Sequence, residues 1–143
     1  MTTPTFSMVE SDEDYRASFP VMQELRPHLA DAAAFVEQAR RQATQGYRLL
    51  AAWQDGQVRA LAGYRVQENL LYGRFLYVDD LVTSAGARGQ RFGASLIDAL
   101  RKEAREQACS HLVLDTALAN SLGQRFYLRQ GLLAVGMHFR QAL

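Results

Sequence analysis

"YVDDLVTSAGARGQRFGASLIDAL", residues 77–100, runs from an apolar strand pattern straight into an amphipathic helix pattern. The short turn between them carries Gly86, Gly89 and Gly93, with Arg88 and Arg91 set among them. A helix N-terminus presents backbone N–H groups without partners and the positive end of the helix dipole, so it is a ready anion site. Glycine lets the backbone approach such a ligand, and arginine adds charge and fork-shaped donors. The alternative is a glycine-rich turn whose arginines are simply solvated. Two named phosphate loops are excluded: no Gly-Lys-Ser/Thr is present, and "GARGQRFG" does not supply G-x-G-x-x-G.

Working outward, the same change of period recurs. Residues 5–9 read as a short strand. Ser11 is a helix N-cap followed by acids in the first turn, and Pro20 is expected to delay or kink that helix, which ends near Arg26-Pro27. Residues 29–44 repeat apolar positions at helical spacing and stop at Gly46. "YRLLAAWQ", Asp55-Gly56 and "QVRALAGYRVQ" form a hairpin, "NLLYG" a second turn and "RFLYVDDLV" the next strand. A long helix over residues 88–107, the strand "HLVLDT", a helix over 120–130 and a closing strand "LLAVGMHFRQAL" complete the chain. This order predicts an α/β fold in one domain, 1–143. Its mixed, mostly antiparallel sheet has about six or seven strands, with about four helices on both faces.

The 143 residues suffice for a core without disulfides or metal, and the lone Cys109 excludes a disulfide framework and a Cys-rich zinc site. A net charge of +1 supplies no bulk field for nucleic acid. The polar, acidic N-terminus lacks the basic and apolar regions of a secretory signal, and no apolar run reaches bilayer length. The chain is expected to be cytoplasmic, off the membrane, and free of metal, since His28, His111 and His138 have no ligand spacing. Trp53, Tyr64 and Phe75 read as sheet packing. The acids over residues 11–24, with Asp31 and Glu37, either form a solvated helix face or favour a cationic amine.

"RGQRFGA", with "NSLGQRFYLRQGL" behind it, resembles the Q/R-x-x-G-x-G/A signature and the later N-x-x-A-x-x-F-Y pattern of the GNAT superfamily of N-acetyltransferases. The resemblance covers nearly the whole chain. It implies a GNAT fold and acetyl-CoA as acyl donor, its pyrophosphate held by backbone amides of Arg88, Gly89, Gln90, Arg91, Phe92, Gly93 and Ala94. It also implies a primary amine acceptor, small molecule or protein, and allows a homodimer. Asp79 matches the general base on the family's fourth strand, acting directly or through water. Asp80, its neighbour in a strand, should point to the other face. Read without the family, Asp79 is equally a paired or solvated carboxylate.

In the family a bulge in this strand frees amides for the thioester and pantetheine; here they come from Leu81 and Thr83, with Val82 between. Tyr127 matches the acid that protonates the departing thiolate, and Asn120 a cofactor contact; from spacing alone a Phe-Tyr pair on an amphipathic helix is more often core. Four positions depart from the pattern. Arg91 stands where glycine is usual; a helical position, where its side chain points outward without cost, is expected rather than one at positive φ, where it would strain the loop. Gly123 replaces alanine, Leu132 an aromatic, and Gln124 a histidine of close relatives. Nothing resembles an activated nucleophile, so the amine attacks the thioester directly. The rival reading is a non-catalytic acyl-CoA-binding regulatory module.

Overall fold

Alternating β and α signals resolve into β1 (Thr5–Met8), α1 (Asp12–Leu25), α2 (Ala32–Ala43), β2 (Arg48–Gln54), β3 (Gln57–Asn69), β4 (Gly73–Thr83), α3 (Phe92–Glu106), β5 (His111–Leu114) and α4 (Ser121–Arg129). The computed structural model describes residues 3–143. The five strands form one sheet in sequence order, β1-β2-β3-β4-β5. The pairs β1–β2, β2–β3 and β3–β4 are antiparallel. Strand β5 reaches the β4 edge through the α3 crossover.

Local chemistry sets the boundaries. The Ser11 hydroxyl accepts from Asp14 N–H, and the Asp31 carboxylate from Ala34 N–H, so α1 and α2 start at capped turns. Helix α1 runs through Pro20 and ends where Pro27 disfavours a helical Arg26. Asp55 and Gly56 both take positive φ, 54° and 75°, as the two-residue β2–β3 turn requires. Asn69 Oδ1 accepts from Leu71 and Tyr72 N–H and shapes the β3–β4 turn.

Contacts divide the chain into two compact units, one up to Val113 and one from Leu114 to Leu143. In the first, α1 packs on α2, β3 and β4, around Tyr15, Met22, Phe35, Leu49, Leu61 and Val82. Helix α3 packs on β3 and β4 through the buried Leu96, Ile97 and Leu100.

The second unit holds α4, which has no buried residue, and a tail of irregular chain. The closing strand expected over 132–143 does not form. Leu133, Val135, Met137 and Phe139 do alternate, but all four side chains are exposed, so the alternation has no apolar partner to face. The sheet therefore has five strands rather than six or seven.

Candidate active site

Asp79 sits at a break in the β3–β4 ladder. Gly63 pairs with Asp80 and Tyr64 with Val78, so Asp79 is an extra residue with no partner across the ladder. Such a bulge interrupts the two-residue alternation of side chains. Asp79 and Asp80 consequently line the same cavity of about 310 Å³, together with Arg26, His28, Phe35 and Tyr47. The expectation of opposite faces fails for this reason. The bulge also lies upstream of Leu81, Val82 and Thr83, where regular pairing with Ala62, Leu61 and Ala60 has resumed. The Val82 side chain belongs to the core.

Each carboxylate carries its own cation. Arg65 grips Asp79 with two parallel bonds, Nη2 to Oδ1 at 2.7 Å and Nε to Oδ2 at 2.9 Å. This fork raises the Arg65 pKa. Arg26 donates Nε to Asp80 Oδ1 at 3.0 Å, and its Nη2 lies 2.9 Å from the same oxygen. That Nη2 also donates to the Asp79 carbonyl at 2.9 Å, tying the end of α1 to the bulge. The buried Tyr47 hydroxyl donates to Asp80 Oδ2 at 2.8 Å. Burial, then the Asp80 charge and that hydrogen bond, hold the Tyr47 pKa well above its ordinary value. Gly63 makes the arrangement possible: a Cβ there would run into the Tyr47 hydroxyl and stand 2.7 Å from Asp80 Oδ2. Arg26, Tyr47, Gly63 and Arg65 were not singled out from the sequence. Only Gly63 leaves a signal there, since glycine inside a strand marks a bulge or a close approach.

The turn at 88–94 follows directly. After β4, Ser84 N–H donates to the Arg59 carbonyl and a 3₁₀ turn spans Ala85–Ala87. Glu24 on α1 accepts from Ala85 N–H at 2.9 Å. Arg88, Gly89, Gln90 and Arg91 are exposed, Phe92 is buried, and Gly93 and Ala94 are half-buried in the first turn of α3. Arg91 is the N-cap of α3, at φ 62° and ψ 25°, and makes no side-chain cap. This corrects the helical placement expected for Arg91. The residue occupies the left-handed region that glycine ordinarily fills, and its side chain stores strain of about 1–2 kcal/mol. It also leaves the first N–H groups of α3 without a capping oxygen, so the 15-residue helix offers them to an external anion. Arg59 has a buried Nε with no partner among the described residues.

In the C-terminal unit Asn120 is engaged locally. It is the N-cap of α4: its Oδ1 accepts from Gly123 N–H at 3.0 Å and its Nδ2 donates to Thr116 Oγ1 at 3.2 Å. A Cβ at position 123 would fall 2.5 Å from Asn120 Nδ2, so alanine there would require the Asn120 amide to shift. Gln124, in place of histidine, donates Nε2 to the carbonyls of Ala117 and Leu118. Tyr127 is half-buried with Phe126 edge-on at 5.3 Å, and desolvation raises its pKa. The Cys109 thiol is raised too, chiefly by burial, so it is a poorer nucleophile.

The sequence matches the family described as acetyltransferase (GNAT) over residues 9–132. The chain belongs to the GNAT acetyltransferase family. Among its GNAT relatives, "Uncharacterized N-acetyltransferase YhdJ" of Bacillus subtilis (strain 168) is 30% identical over 118 residues, 82% of each chain. The "Aminoalkylphosphonate N-acetyltransferase" of Salmonella typhimurium (strain LT2) is 30% identical over 98 residues, 68% of this chain and 62% of that one. Among solved structures, AAC(6')-Iy in complex with the bisubstrate analog CoA-S-monomethyl-acetylneamine superposes with a TM-score of 0.83 over 99% of this chain and 100% of that one, at 13% identity. A GNAT enzyme of this kind transfers an acetyl group to an amine. Among the described residues no cluster of His, Cys, Asp and Glu could hold a metal, and no helix is long and apolar enough to cross a membrane.

Proposed function

We propose that the protein transfers the acetyl group of acetyl-CoA to a small primary amine by direct attack. The observation that carries this reading is the run of chain from β4 into α3: a bulge with two cavity-facing aspartates, then the strand end and a 3₁₀ turn, then an uncapped helix N-terminus. The turn at 88–94 receives the pyrophosphate on the α3 N–H groups, with Arg88 adding charge. Leu81, Val82 and Thr83 run beside the pantetheine, and Asn120 is assigned a cofactor contact by the family pattern alone. The structural relative's bisubstrate analog, which joins CoA to an amine acceptor, supports the donor assignment.

The amine occupies the Asp79–Asp80 cavity. Its nitrogen attacks the thioester carbonyl, forming the C–N bond, and the C–S bond breaks as the tetrahedral intermediate collapses. The amine proton passes through water to Asp79, because Arg65 engages both carboxylate oxygens and leaves only their remaining lone pairs. The family pattern alone assigns Tyr127 the role of the acid that protonates the departing thiolate. A phenol is protonated at neutral pH, burial shifts the Tyr127 pKa further up, and the proton released by the amine restores it.

Two measurements test this. CoA at millimolar concentration should raise the melting temperature, since a ligand that binds only the folded state stabilises it. Thiol release from acetyl-CoA should depend on added amine. Absence of any CoA-dependent shift overturns the donor assignment. The bidentate Asp79–Arg65 pair also suits a second reading, a non-catalytic acyl-CoA-binding module, which predicts the CoA shift without amine-dependent turnover.

A further inference from the structure

We propose that Arg26 makes this protein selective for small amines that carry their own anionic group. The inference rests on the reading of the Asp79–Asp80 cavity as the acceptor site. Two aspartates in a cavity would by themselves favour a di- or polyamine. Here their charges are covered. Arg65 and Arg26 neutralise Asp79 and Asp80, and in both pairs the cation is the more exposed partner: 32% against 19% for Arg65–Asp79, and 42% against 14% for Arg26–Asp80. Of the two cations Arg26 lines the cavity itself, so the cavity presents a guanidinium beside its carboxylates.

Arg26 retains a binding edge. Its Nε and Nη2 are engaged by Asp80 and the Asp79 carbonyl, but Nη1 makes no bond to any described residue. A carboxylate or phosphonate on the acceptor would receive that N–H, in a cavity that His28 also lines. Three of the acids that suggested a cationic acceptor are engaged elsewhere. Asp12 pairs with Arg40 at 2.6 Å, Asp31 caps α2 and Glu24 holds Ala85 N–H. None of them lines the cavity. At about 310 Å³ the space lies at the small end of ligand pockets, which suits an amino-acid-sized acceptor whose ammonium faces the bulge and whose anion faces Arg26.

The test is a matched series differing only in the group remote from the amine: β-alanine, 3-amino-1-propanol and 1,3-diaminopropane, with 2-aminoethylphosphonate separating phosphonate from carboxylate. Amine-dependent thiol release should show kcat/KM at least about tenfold higher for one of the two anionic acceptors than for the alcohol, with the diamine lowest. Arg26→Gln uncovers Asp80 and should reverse the order of β-alanine and the diamine, whereas Arg26→Lys should keep the order with a smaller ratio. A wild-type preference for the diamine or the alcohol overturns the proposal and leaves the acetyltransferase reading intact, and so does a folded Arg26→Gln with unchanged ranking. If CoA binds but no amine is turned over, the catalytic reading fails. Calorimetry on the CoA-saturated protein then decides the class: binding of β-alanine or 2-aminoethylphosphonate over the diamine supports the proposal, and any other result overturns it.

Discussion

Gly63→Ala is the smallest change that reaches the centre of this site, because one methyl group must share space with the Tyr47–Asp80 hydrogen bond. The new Cβ would overlap the Tyr47 hydroxyl and lie 2.7 Å from both Tyr47 Cζ and Asp80 Oδ2. None of these atoms is the free end of a flexible chain: Tyr47 is buried, and Asp80 is held by Arg26. Overpacking of this kind costs about 1–3 kcal/mol, and stranding a buried hydroxyl about 1–3 kcal/mol more. The lower unfolded-state entropy of alanine returns about 0.4–1 kcal/mol. A net loss of about 3 kcal/mol is therefore expected, or roughly 10 °C in melting temperature for a chain of this length. Urea unfolding of the wild type, Gly63→Ala, Tyr47→Phe and the double variant measures it. The double variant should be less destabilised than the sum of the singles, because both perturb one hydroxyl. A Gly63→Ala protein within about 0.5 kcal/mol of wild type, or a fully additive cycle, would refute the reasoning.

Two further outcomes follow from the same chemistry. Tyr127→Phe keeps the ring and removes the proposed acid, so turnover should fall by roughly 10²-fold while the acetyl-CoA dissociation constant stays within a few fold; full activity would remove Tyr127 from the mechanism. The Tyr64 pKa is pushed by burial up to about 12, so its contribution to stability is intact below pH 10 and disappears as the pH rises toward 12. That contribution is at most about 3 kcal/mol; Tyr64→Phe should flatten the alkaline loss of stability in urea titrations at pH 8, 10 and 11, and an unchanged slope would place the loss elsewhere.

The order of elements was legible because its signals are local. Ser11, the Asp55-Gly56 turn, Gly46 and Gly131 are read within a few residues, and each marks the boundary it was expected to mark. The closing strand failed for the opposite reason. Alternation over Leu133, Val135, Met137 and Phe139 records a capacity to form a strand, and that capacity is realised only where another element covers the apolar side. The site was legible in outline, in the aspartates and the glycine-arginine turn. Its electrostatics were not, because Arg26 meets Asp80 across 54 positions, Tyr47 meets Asp80 across 33 and Arg65 meets Asp79 across 14. A strict two-residue alternation also assigns Asp80 to the wrong face, since it assumes an unbroken ladder and this one is broken at Asp79.

The bulge and the end of α1 are one construction. Pro27 turns the chain out of the helix at Arg26, whose N–H still closes the last turn on the Met22 carbonyl. From that fixed backbone the guanidinium reaches both the Asp80 carboxylate and the Asp79 carbonyl. A bulge leaves a strand with an unpaired residue and a local bend, and that bend is stable only if something engages the released backbone. Arg26 does so with one nitrogen while neutralising Asp80 with the same group. Gly63 supplies the space opposite, and Tyr47 closes the remaining oxygen. The cavity's shape and its charge balance thus have a common origin, so a substitution that alters the charge at Arg26 must also loosen the bulge. For that reason the lysine variant, which keeps the charge but not the fork, separates charge from anchoring.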